Sequence, residues 1–172
     1  MQRFLEGIRP GGTVLDVACG SGRHTAALAG RGFLATGIDR DISKAEQLLG
    51  RPRVELLEAD LETGAPWPFL PKSFDAVIVA NYLWRPILPD IVATVARCGV
   101  LIYETFAVGN EHFGKPSNPD FLLRPGELLD AVLGKLMPVA FEHIQLANPD
   151  RIVQRICAVG CDHEWLSMPP KV

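Results

Sequence analysis

The sequence predicts an α/β fold: a doubly wound, mostly parallel seven-stranded sheet that finishes in a C-terminal antiparallel strand pair. Three observations carry this. Short β-rich runs alternate with helical patterns along most of the chain, the mark of a parallel sheet with helices on both faces. Ala76-Val77-Ile78-Val79 is continuously apolar, as a strand covered on both faces requires. The last two β-rich runs meet at Asn148-Pro149-Asp150, a turn signal that makes them antiparallel neighbours.

Taken in order, residues 13–17 read as a buried strand and 22–30 as a helix. Residues 33–38 form the second strand. Residues 41–49 form a helix, with an S-x-x-E capping spacing from Ser43 to Glu46 just inside it. The third strand is 54–57 and the fourth 74–79. A helix over 87–98 precedes a fifth strand over 100–106. The helix over 125–136 has proline near its first turn. The closing pair is 139–146 and 152–159. Between strand five and the last helix, residues 107–123 form a 17-residue connection without an obvious element, and connections of that length are usually functional or disordered. Phe113, Phe121, Leu122 and Leu123 within it suggest a loop that packs over a pocket.

The 172 residues, 48 % of them hydrophobic, suit one domain over residues 1–172 with a full core. A charged fraction of 22 % and a mean hydropathy of +0.15 exclude wholesale disorder. No apolar run reaches the roughly 18 residues of a membrane span. Met1-Gln2-Arg3-Phe4-Leu5-Glu6 has no apolar segment of a secretory leader, so a cytoplasmic location is expected. A net charge of −3 and a pI near 5.8 argue against a strongly basic nucleic-acid footprint. Reduced thiols are expected at Cys19, Cys98, Cys157 and Cys161. Cys157, Cys161 and His163 have C-x3-C-x-H spacing, but no second pair completes four ligands; no metal is expected.

In a sheet of this kind ligands bind beyond the carboxyl ends of the strands, so the residues after each strand are the informative ones. Asp16-Val17-Ala18-Cys19-Gly20-Ser21-Gly22 follows strand one; its glycines permit a tight turn and close backbone approach. A dinucleotide G-x-G-x-x-G fails in both registers, because Arg23 or Thr25 occupies the third glycine position. The Walker pattern is absent. Asp39 ends strand two, where it can accept from two ribose hydroxyls or simply favour the next helix dipole. Asp60, after strand three, can accept from an exocyclic amino group or serve as a turn residue.

With these four elements in this order, the chain resembles the class I S-adenosylmethionine-dependent methyltransferases, as a small, minimal-core member. The resemblance rests on residues 14–22, Gly37-Ile38-Asp39, Ala59-Asp60, and the stretch from Trp67-Pro68-Phe69 to Phe74-Asp75-Ala76-Val77. It covers roughly residues 10–160. Ala18 replaces the usual first glycine, and Arg97-Cys98-Gly99-Val100 lacks the Pro-Gly-Gly often found before strand five. The resemblance implies a Rossmann-like fold and S-adenosylmethionine as cofactor. It implies that Asp16, Ala18, Gly20 and Gly22 hold the methionine part and that Asp39 holds the ribose. Arg40 would flank the adenine, Asp60 would read its amino group and Leu61 would line the ring. Asn81, Tyr82 and Leu83 would lie beside the sulfonium.

The implied activity is methyl transfer to an unidentified small-molecule acceptor, with no membrane and no nucleic-acid partner. Catalytic candidates are Glu104 as a substrate-contacting carboxylate, His112 as base, and Tyr82, which with Trp84 would line the acceptor pocket. Structural roles remain open for all of them. Twelve residues precede Thr13, where relatives carry N-terminal helices over the cofactor. The expectation is that this cap is largely missing. The loop after strand five, a second copy in a homodimer, or chain upstream of the start would then do the covering. The alternative function is a non-catalytic cofactor-binding protein or one subunit of a larger methyltransferase.

Overall fold

The computed structural model describes residues 2–170. Among them run seven strands: β1 (Thr13–Val17), β2 (Leu34–Asp39), β3 (Val54–Glu58), β4 (Phe74–Ala80), β5 (Val95–Phe106), β6 (Met137–Leu146) and β7 (Arg151–Val159). The α-helices are α1 (Arg23–Gly30), α2 (Leu88–Thr94) and α3 (Glu127–Val132). Sheet order is β3-β2-β1-β4-β5-β7-β6. The first five strands pair in parallel; β7 pairs antiparallel with β5 and with β6. The expected Rossmann-like architecture and its antiparallel closing pair are both present.

Successive strand residues point to opposite faces, and both faces are apolar. Leu15, Val17, Val77, Val79, Leu101, Tyr103 and Ile156 pack under α2 and α3, against Ile91, Val92, Leu128 and Val132. Val14, Ala76, Ile78, Val100, Ile102, Cys157 and Val159 meet Leu28 of α1 together with Ile8, Phe33 and Trp165. Each fully buried Leu, Ile or Val stabilises the fold by about 1.5–3 kcal/mol relative to exposure. A 3-10 helix, Gln2–Gly7, precedes β1, and its Phe4 ring lies 6.3 Å edge-on from Trp165.

Helical segments differ most from the sequence expectation. The segment expected as a helix over 41–49 is a 3-10 helix, Ile42–Leu48. Its cap is Asp41, whose side chain accepts from the Ser43 N–H at 3.0 Å, so the Ser43–Glu46 spacing does not cap it. The helix expected over 87–98 stops at Thr94, and Val95 opens β5 against Phe74. The Thr94 hydroxyl donates back to Asp90 O at 2.8 Å and accepts from Trp67 Nε1 at 2.9 Å, so it fixes the helix end. The helix expected over 125–136 is confined to six residues, between left-handed Gly126 and a turn at Gly134. The 107–123 connection packs rather than wanders: Leu122 and Leu123 are buried, and Ala107 bridges Leu123.

Cys157 is buried in β7 with its thiol pushed up to about 12 by burial, while Cys161 is exposed. His163 is buried; its Nδ1 accepts from the Trp165 N–H at 3.0 Å. Its Nε2 therefore carries the proton and donates to Gly7 O at 2.9 Å, a tie between the chain's two ends.

Candidate functional site

Strand order reverses between β1 and β4, which opens a crevice beyond their carboxyl ends. The loop leaving β1 turns sharply there, with Ala18 at φ 54°, Gly20 at 55° and Gly22 at 70°. Alanine at position 18 thus occupies a left-handed conformation that glycine adopts at no steric cost. Gly22 is needed for space as well: a Cβ there would come within 2.4 Å of Leu48 Cδ1.

Asp16 is buried, and its Oδ2 accepts from the Thr25 N–H at 2.9 Å and the Thr25 hydroxyl at 2.7 Å. The acid therefore anchors the start of α1 beneath the loop. Burial raises its pKa, and the Thr25 hydroxyl opposes that rise. The neighbouring Cys19 thiol is pushed up to about 12, first by burial and then by Asp16 and Asp39, so it is not a nucleophile. Asp39 at the end of β2 accepts from the Gly20 N–H at 2.8 Å through Oδ2 and from the Asp41 N–H at 3.1 Å through Oδ1. Asp60 accepts from the Glu62 N–H at 2.9 Å. Each carboxylate oxygen has two acceptor sites, so both acids keep capacity for a ligand's hydroxyl or amino donors.

The β1 loop, Asp39 and Asp60 face one cleft of about 450 Å³. Of the residues singled out from sequence, Ala18, Gly20, Asp39, Arg40, Asp60, Leu61 and Tyr82 line it. The Tyr82 hydroxyl is enclosed and has no hydrogen-bond partner among the described residues. Its pKa is raised by burial first and by the carboxylates of Glu62, Asp60 and Asp39 next. Asp41, Lys44, Ala59, Glu62 and Phe121 also line the cleft and were not singled out as site residues. Ala59 and Glu62 flank Asp60 and follow from the same strand-end rule. Asp41 and Lys44 belong to the first turn after β2. Phe121 comes from the 107–123 loop.

Six of the expected site residues lie outside the cleft lining; Asp16 and Gly22 sit beneath the loop, and the other four are placed as follows. Leu83 is a core residue at 3 % exposure, because the left-handed turn at Asn81 (φ 55°) directs it inward against the sheet. Asn81 is exposed, and its N–H donates to Glu104 O at 2.9 Å; it does not line the cleft. Glu104 stands apart too. Its carboxylate pairs with Arg155 Nε on the α1 side of the sheet, and Arg155 Nη1 also reaches Glu142 at 3.3 Å. His112 is exposed in the 3-10 turn Asn110–His112, outside the cleft lining.

A family model described as "Methyltransferase domain" matches residues 14–99, half of the chain. The ubiquinone biosynthesis O-methyltransferase of Paracidovorax citrulli is 29 % identical over 157 residues, covering 87 % of this chain and 63 % of that protein. The protein of the same name from Saccharophagus degradans is 32 % identical over 94 residues, covering 52 % of this chain and 38 % of its own length. The chain thus spans less than two thirds of the curated relatives it matches. Among solved structures, a SAM-dependent methyltransferase of Methanosarcina mazei superposes with a TM-score of 0.72 at 16 % identity, over 90 % of this chain and 95 % of the other. A Burkholderia thailandensis 1,6-didemethyltoxoflavin-N1-methyltransferase, solved with 1,6-didemethyltoxoflavin and S-adenosylhomocysteine bound, superposes with a TM-score of 0.71 at 16 % identity, over 92 % of this chain and 75 % of the other. The fold, the acid at the end of each of the first two strands and the matched core together place this chain in the class I S-adenosylmethionine-dependent methyltransferase family.

Proposed function

We propose that the chain binds S-adenosylmethionine in the cleft beyond β1–β4 and transfers its methyl group to a small-molecule acceptor. One observation carries the reading. Asp39 and Asp60, at the ends of adjacent parallel strands, face the same cleft as the Ala18–Gly20 turn and Tyr82, and both carboxylates keep acceptor capacity for hydroxyl and amino donors. The residues present therefore fit the cofactor.

When bound, the cofactor supplies an already activated methyl group, so the protein's share is orientation and exclusion of water. Asp39 would hold the ribose hydroxyls, with its position fixed by Gly20 and Asp41. Asp60 would accept from the adenine amino group, Leu61 would line the ring and Arg40 would flank it. Ala18 and Gly20 would hold the methionine half through their backbone, on a turn that Asp16 and Gly22 set from below. Glu104 is held by Arg155, so the reading assigns it no proton transfer. Isothermal titration with S-adenosylhomocysteine tests the binding step, and absence of binding by purified protein overturns the proposal.

The position of Glu104 and His112 away from the cleft favours a second reading, in which this chain binds the cofactor without catalysing transfer alone. A second copy, or a larger methyltransferase, would then complete the site. Turnover by the isolated chain against a panel of phenolic and heterocyclic acceptors excludes it. Among the described residues no helix is long and apolar enough to cross a membrane. A cytoplasmic location belongs to the same proposal, in keeping with four free cysteines.

A further inference from the structure

Phe121 is a large apolar side chain, 39 % exposed, that lines the acidic cleft. Its placement has an identifiable cause. The guanidinium of Arg85 donates from Nη1 to Asp120 O at 2.6 Å and from Nη2 to Leu122 O at 2.8 Å. These are the two carbonyls that flank Phe121. The same guanidinium forms a two-point pair with the buried Glu127 carboxylate, Nε to Oε1 at 2.7 Å and Nη2 to Oε2 at 3.0 Å. Glu127 is fixed in turn by the Arg124 N–H at 2.8 Å. A planar fork of five donors can hold two carbonyls and a carboxylate at once; a lysine cannot.

Arg85 itself begins the 3-10 turn Arg85–Ile87, three residues beyond Tyr82. One short segment after β4 thus supplies one aromatic wall of the cleft, Tyr82, and the grip on the other, Phe121. Leu122 and Leu123, both buried, anchor the loop immediately behind the ring. An apolar ring held in place before any ligand arrives stabilises a complex by lowering the ordering cost.

We propose that Arg85 is a positioning residue: through its hold on both sides of residue 121, it sets the Phe121 ring as a fixed cover over the adenosine half of the cofactor cleft. This inference rests on the cofactor reading above. It assigns to the loop after β5 a defined role in binding and assigns to Arg85 the task of keeping that loop in register.

The test is titration of S-adenosylhomocysteine, and of adenosine alone, into the wild type, Arg85→Ala, Phe121→Ala and the double variant. Each single change is expected to weaken both ligands by about five- to tenfold, the scale of one well-placed aromatic contact. The double variant is expected to be no weaker than the poorer single, because Arg85 acts through Phe121. Arg85→Lys should fall between wild type and Arg85→Ala. A purely structural Arg85 would lower the melting temperature without this coupling. Losses that multiply in the double variant, or unchanged affinity in Phe121→Ala, overturn the inference. Phe121→Ala alters an exposed ring, so its result stands even if Arg85→Ala fails to fold. A wild type that binds neither ligand overturns the cofactor reading itself. Binding by the wild type with unchanged affinity in Phe121→Ala overturns this inference alone.

Discussion

Asp39 Oδ2 accepts the Gly20 N–H at 2.8 Å, so the carboxylate that ends β2 also fixes the turn that leaves β1. A ribose bound at Asp39 and a methionine chain lying along the Gly20 turn would then be coupled through one side chain. Asp39→Ala is expected to weaken S-adenosylhomocysteine binding at least tenfold, since each charge-assisted hydrogen bond is worth about 1.5–3 kcal/mol. The fold should survive, because Asp39 sits at a strand end and is partly exposed. Calorimetry decides the matter, and a loss under about twofold shows that the ribose is held elsewhere.

Ala18 offers the opposite kind of change. Its φ of 54° places a Cβ where L-residues are strained by roughly 1–2 kcal/mol, and glycine relieves that. Glycine also gains more freedom in the unfolded chain, which offsets part of the relief. Ala18→Gly is therefore expected to be neutral to stabilising, by up to about 1 kcal/mol, in urea unfolding. A clear destabilisation means that the Ala18 methyl makes a packing contact worth more than the strain.

Glu104 lies opposite Arg155 across β5 and β7, and Arg155 lies opposite Glu142 across β7 and β6. The three form a charged row on one face of the sheet, with Arg3 reaching Glu142 at 3.2 Å. Glu104→Gln is expected to cost about 1–3 kcal/mol of stability, because Arg155 loses its closest partner. Turnover with any acceptor found should change by less than about threefold, a barrier difference under about 1 kcal/mol. A fall of about a hundredfold in kcat with an unaltered melting temperature would return Glu104 to the chemistry.

How much of this was legible in the sequence depends on the distance over which each feature is determined. β1 was readable to the residue, because an apolar run bounded by Gly12 and the Ala18–Gly20 turn is a local signal. Asp39 and Asp60 were readable because a strand end in a parallel sheet is itself a location. The first helix, expected over 22–30 and found at Arg23–Gly30, was readable too, but the later helical segments were not, since their ends depend on distant partners: Thr94 on Trp67, and residues 42–48 on close approach to Gly22. The pairing of Glu104 is hidden for the same reason. Its partner is 51 residues away and becomes visible only once the register of β5 on β7 is known. Phe121 could be recognised as an apolar residue in a polar loop, but its direction is set by Arg85, 36 residues earlier.

The Glu127 carboxylate makes that grip pH-dependent. Burial alone would raise its pKa, but the Arg85 guanidinium and the Arg124 N–H more than offset this and hold it below the ordinary value. A carboxylate depressed in the folded state contributes stability that is present above its unfolded pKa, about 4.3 for glutamate, and is lost as pH falls through the folded value. The wild type is thus expected to lose stability in acid, below about pH 4.5. Glu127→Gln removes the titrating group together with the charge that satisfies Arg85. It should cost about 1.5–3 kcal/mol near neutrality and flatten the acid limb of a plot of melting temperature against pH. Parallel curves for the two proteins would show that the acid limb comes from other carboxylates, such as Asp75 beside Arg9, whose pKa is also lowered. The variant should also shift ligand titration toward Arg85→Ala, because Arg85 loses the charged two-point partner that helps align its fork with the carbonyls of Asp120 and Leu122.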